Sequence, residues 1–106
     1  MNRLFFFLIV FLIAACSAQL RIPTQVDADR GASRWENYDS LKLVSGFFIY
    51  KNNCGQCHNL HLPKEFSEQQ WNNILPEMVL KAHLDSSQTD LVKKYLLVMA
   101  ADTLKK

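Results

Sequence analysis

No block of charge of one sign runs through this sequence. Its 12 Lys and Arg and 10 Asp and Glu are scattered along 106 residues for a net charge of +2, which leaves no electrostatic footprint for nucleic acid. No alternating apolar pattern marks a strand, and there is neither an internal repeat nor a low-complexity tract. The longest apolar run, residues 4–15, is about half the length needed to span a bilayer. Cysteine is limited to three positions, Cys16, Cys54 and Cys57. Length sets a further bound: once a targeting segment is set aside, one domain remains. A body of about 60–70 structured residues buries only roughly 60% of its unfolded surface, a size at which chains often need a cofactor, metal or disulfide to complete the core.

What is present begins with Arg3 and the apolar run after it, the dimensions of a signal-peptide core. Ile13-Ala14-Ala15-Cys16 resembles the lipobox of bacterial lipoproteins, which implies a signal peptide over residues 1–15 and lipidation of Cys16. An ordinary export signal with Cys16 incidental is the alternative. Multiple acyl chains on one residue anchor a protein stably, whereas a single chain binds only marginally. Ser17 at the next position implies, by the same resemblance, the outer membrane ahead of the inner one. Export exposes the remaining thiols to an oxidising compartment that pairs idle cysteines.

Residues 16–37 are polar, with Pro23 and Gly31 and no sustained apolar period, and read as a lipid anchor followed by a flexible tether. The domain proper is expected over residues 38–106. Leu43, Phe47, Tyr50 and Cys54 recur at helical steps, with Asp39 or Ser40 as N-cap and Asn52-Asn53 closing the helix or its first straight section. Ser67 three residues before Gln70 opens a second helix with Trp71, Ile74 and Leu75 on its apolar side. Pro76 is expected to kink or restart it. Asp85 or Ser86 caps a third helix to about residue 101, burying Leu91, Val92, Tyr95, Leu96, Val98 and Met99.

Chemistry is concentrated at Cys54-Gly55-Gln56-Cys57-His58. Cys-x-x-Cys-His is the attachment signature of c-type haem: two thiols one turn apart reach the two vinyl groups along one porphyrin edge, and the adjoining imidazole becomes the fifth iron ligand. A thioredoxin-like dithiol would need a βαβ pattern, a structural zinc site would need a second ligand pair from His61 and His83, and a plain disulfide would leave His58 unexplained.

Gly46, Ile49, Tyr50, Cys54, Cys57 and His58, with Tyr95-Leu96, resemble the first helix, haem motif and partner helix of class I cytochrome c domains. The stretch Cys57-His58-x-Leu60-x-x-Pro63, then Trp71, Pro76-x-Met78 and Ala82, is similar to small bacterial monohaem lipoprotein cytochromes. The resemblance covers residues 38–101. It implies an all-α cytochrome c fold of three main helices around one covalent haem c, held by Cys54 and Cys57, with His58 proximal and Met78 as distal ligand. His83, His61 and Met99 are the alternatives to Met78, and an open sixth site would indicate a ligand-binding or sensor module. Trp71 and Phe66 are expected to wall the haem, Trp71 by packing on the ring or by offering its indole N–H to a propionate. Lys64, Lys81, Lys93 and Lys94 read as a solvated face, with steering of an acidic redox partner as the alternative. The implied role is a one-electron carrier, free-standing or as a subunit of a larger oxidoreductase, with redox proteins as donor and acceptor and no catalytic acid, base or nucleophile.

Overall fold

Short polar caps mark where the helices begin. A computed structural model describes residues 20–55 and 60–101, and within them the chain is all-helical: α1 over Gln25–Ala32, α2 over Ser40–Ile49 running into a π-turn at Tyr50–Cys54, a 3-10 turn at Pro63–Glu65, α3 over Glu68–Lys81 and α4 over Ser86–Ala101. Each boundary has a local cause. The Asp39 carboxylate accepts from the Lys42 N–H at 3.0 Å, the Ser67 hydroxyl from the Gln70 N–H at 3.2 Å, and the Asp85 carboxylate from the Gln88 N–H at 2.7 Å. These bonds satisfy donors that the first helical turn leaves unpaired. Gln70 and Gln88 return the contact to the backbone N–H groups of Ser67 and Asp85, at 2.8 and 3.1 Å.

The core forms where α2 and α4 cross, with α3 and α1 laid against α4. Leu43, Phe47 and Tyr50 from α2 meet Val92, Tyr95 and Leu96 from α4, and Trp71 and Leu75 close the layer from α3. The crossing is tight because Gly46 carries no side chain: a Cβ there would lie 2.8 Å from the Tyr95 Cβ and closer still to the Leu91 carbonyl oxygen. Backbone therefore touches backbone at the contact that the sequence resemblance pairs. Leu91 itself is only half-buried, whereas Leu97 and Ala100 join the core.

Two expectations differ from the structure here. Four α-helices are present among the described residues instead of three, because the stretch read as tether contains α1. Its buried face carries Asp27, Ala28 and Gly31, and the following Tyr38 is 5% exposed. What holds α1 down is polar: the Asp27 carboxylate, 2% exposed, accepts from both Arg21 terminal nitrogens at 2.7 and 3.0 Å, from the Arg30 guanidinium at 2.7 Å, and from the Thr24 N–H and hydroxyl at 2.8 and 3.1 Å. Arg30 also donates to the Val98 carbonyl of α4. An apolar-period reading is blind to a helix docked through one carboxylate, although Thr24-x-x-Asp27 is the spacing of a helix start. The second difference is Pro76. It sits inside α3 without breaking the helical run, and the Asn72 side of the helix, whose carbonyl loses its partner, is exposed to water.

Candidate functional site

The α-helical part of α2 stops at Ile49, and the wider π-turn delivers Cys54 to the edge of the core. Asn53 supports this turn by donating its side-chain amide to the Ile49 carbonyl at 2.9 Å; a single π-turn of this sort inserts one residue and re-aims the chain beyond it. Cys54 is half-buried, and burial raises its thiol above the ordinary range. The segment after the Cys-x-x-Cys-His motif returns across Tyr50, whose phenol donates to the His61 carbonyl at 2.6 Å. Burial first, then nearby Cys54, Tyr95 and Glu65, raise the Tyr50 phenol well above its usual value, so it remains a donor.

Between these elements and α3 lies a cavity of about 590 Å³, open mouth included, lined by Tyr50, Cys54, Leu60, His61, Phe66, Ile74 and Met78. Ile74 and Met78 are one turn apart on the same face of α3. The His61 ring stands at the cavity edge, its Nδ1 3.2 Å from a Glu65 carboxylate oxygen and its centroid 5.1 Å from that of Phe66. The space available inside it, about 230 Å³, is below the range of about 300–1,000 Å³ found for enclosed cofactor sites, so its chemistry rests on the donors: a thiol at one rim, a thioether and an imidazole on the walls, and otherwise mostly apolar side chains. That set suits haem iron and a porphyrin face. Cys57 and His58, the second thiol and the proximal imidazole of the motif, lie outside the described residues, as does Cys16.

Other expected site residues divide. Phe66 and Met78 line the cavity. Trp71 does not: it is fully buried one layer behind, edge-on to Phe66 at 5.0 Å and to Tyr50 at 6.2 Å. Its indole N–H donates to the Pro63 carbonyl at 2.7 Å. The expected propionate contact through this N–H is therefore corrected, because the donor is already spent on the loop that carries Leu60 to Pro63. Among the alternative distal ligands, His61 shares the cavity with Met78. His83 is exposed and occupies a left-handed turn closing α3, with φ of 57°. Met99 is buried in α4 and borders a different cleft, with Leu20, Leu62 and Tyr95. Of the lysines, the exposed Lys81 pairs with Glu77 at 3.1 Å, whereas the half-buried Lys94 pairs with Asp90 at 3.0 Å and lies 5.6 Å from the Trp35 ring centroid.

The residues that sequence reasoning missed are Tyr50 as a cavity wall and loop clamp, and Ile74 as the partner of Met78. Both register in the sequence only as helix periodicity. No curated protein and no solved structure matches the chain. A sequence model of the family described as dihaem cytochrome c does match, over residues 50–106. That span begins at the π-turn, takes in the Cys-x-x-Cys-His motif, the cavity walls and α4, and covers just over half of the sequence, so the chain belongs to the dihaem cytochrome c family and is a c-type cytochrome whose cofactor is haem c.

Proposed function

We propose that this chain is a single-haem electron carrier, anchored through a lipid on Cys16 to the periplasmic face of a bacterial membrane, the outer one ahead of the inner. The observation that carries the reading is that Cys54, the first residue of the Cys-x-x-Cys-His motif, borders a mostly apolar cavity that Met78 also lines. The family name speaks of two haems, whereas the sequence resemblance implies a monohaem class I domain. Only three cysteines occur, and only Cys54 and Cys57 stand in an attachment motif, which supports one covalent haem in this chain.

Haem c held in this cavity supplies a reversible one-electron couple at its iron. The chain's residues account for the rest. Cys54 and Cys57 would hold the haem through thioether bonds, and His58 and Met78 would ligate its iron. Thioether is a soft donor and raises the potential relative to a second imidazole. Leu60, Phe66 and Ile74 restrict water, which lowers the local dielectric. Donor and acceptor are redox proteins that meet the edge beside Cys54, and no catalytic acid, base or nucleophile is required. His61 is the competing distal ligand, favoured by its place on the same cavity wall.

Export of the full chain together with an active maturation system tests the proposal. Haem measured as its alkaline pyridine complex, set against protein concentration and intact mass, is expected to give one covalent haem and a lipid per chain, with a low-spin reduced spectrum that carbon monoxide leaves unchanged near neutral pH. Two haems per chain, or colourless protein, would overturn it. Ready carbon monoxide binding would move the chain to the ligand-binding class.

A further inference from the structure

The docked α1 has a consequence for how the domain meets the membrane, provided that Cys16 carries the lipid assigned above. Only residues 17–19 separate Cys16 from Leu20, so the lipidated residue lies at most about 14 Å of extended chain from it. Leu20 is packed against the core, and Arg21 is locked to the buried Asp27 by two hydrogen bonds. The chain beyond the lipid is thus committed to the folded domain almost at once, and the domain cannot stand off on a polar leash.

The surface delivered to the bilayer has the composition that an interface accepts. Ile22 and Val26 are 64% and 71% exposed, although both are large and apolar, and they flank the N-cap Thr24 that opens α1. Arg21, the residue before Ile22, borders one cleft with Leu20, Leu62, Pro63 and Lys64. Exposed apolar side chains with basic neighbours are the pattern of an element that rests in the headgroup region of a membrane with anionic lipid. Two such side chains bind weakly alone, but an acyl anchor within about 14 Å raises their effective concentration at the surface and makes a weak contact persistent.

We propose that Ile22 and Val26 form a lipid-facing foot, and that the Asp27 clamp holds the domain flat on the bilayer through it. The bordering loop, Leu62 to Lys64, continues directly from Leu60 and His61 of the haem cavity.

Hydrogen exchange read by mass spectrometry on the lipidated holoprotein tests this. Vesicles of phosphatidylethanolamine and phosphatidylglycerol would carry the wild type and the Ile22→Ser, Val26→Ser double variant, and the same domain exported without Cys16 would serve as the reference in buffer. The wild type on vesicles is expected to exchange its amides over residues 22–30 at least tenfold more slowly than the reference, and the double variant is expected to lose that slowing with its haem spectrum intact. Intact mass separates the two levels of failure. A chain without lipid overturns the anchor and the foot together, whereas a lipidated chain with no slowing overturns the foot alone. Slowing that survives the double substitution, or that appears in the reference as its concentration rises, assigns the patch to packing or to a second copy and also overturns it.

Discussion

Replacing Gly46 by Ala is the sharpest test of the helix crossing on which the site is built. Two effects oppose each other. In a helix interior Ala is favoured over Gly by about 1 kcal/mol, so an uncrowded position would gain stability. At Gly46 the new Cβ would come within 2.8 Å of the Tyr95 Cβ and 3.0 Å of the Leu91 carbonyl carbon, with the carbonyl oxygen closer still. None of these atoms is the free end of a flexible side chain, so relief requires α2 and α4 to move apart. Overpacking costs about 1–3 kcal/mol, and a contact against main chain belongs at or above the upper end. The net expectation is a loss of about 2 kcal/mol, equivalent to a fall in Tm of roughly 8–16 °C for a domain of this size. Thermal unfolding of the purified holoprotein, followed by far-ultraviolet circular dichroism, measures it. An unchanged or raised Tm would refute the argument, because it would mean that the two helices do not meet backbone to backbone.

Three further outcomes are expected. Asp27→Asn should cost about 3 kcal/mol in chemical denaturation, since it leaves the largely buried Arg30 without its carboxylate. Burial alone would raise the Asp27 pKa, but hydrogen bonds from Arg21, the Thr24 N–H and Arg30 outweigh it and hold the carboxyl well below the usual range. Its contribution is then fully present above the unfolded value near about 3.9 and is lost as pH falls through the depressed folded value, so the wild-type advantage over the variant should shrink under acid titration. Trp71→Phe should cost about 1–3 kcal/mol by leaving the buried Pro63 carbonyl without a donor, seen as earlier thermal unfolding with haem attachment retained. Met78→Ala should abolish the thioether-to-iron absorption band, and His61→Ala should leave it in place; the reverse pattern would transfer the distal role to His61.

The haem motif and three of the helix starts were legible because they depend on neighbours in sequence. Cys54-x-x-Cys57-His58 states its chemistry in five residues, and Asp39, Ser67 and Asp85 act on N–H groups three positions away. The periodicity of Leu43, Phe47 and Tyr50 likewise identified the face that packs inward, since helical geometry puts them on one side, whereas Cys54 owes its position to the π-turn. The α1 helix was hidden for the opposite reason. Its main attachment is a carboxylate held by arginines, with the Val98 carbonyl reached 68 residues away, and no local pattern distinguishes such a helix from a polar linker.

The sequence by itself determined the all-helical class and the Cys-x-x-Cys-His motif, and its resemblance to class I domains implied the close crossing of the Gly46 and Tyr95 helices. Only the tertiary structure decided that the Trp71 indole N–H faces the Pro63 carbonyl, that Met78 and His61 share one cavity while His83 and Met99 do not, and that the amino-terminal segment is part of the domain. Those outcomes depend on which buried polar groups find one another once the helices have packed, and a buried donor or acceptor must be satisfied by whatever the fold brings to it.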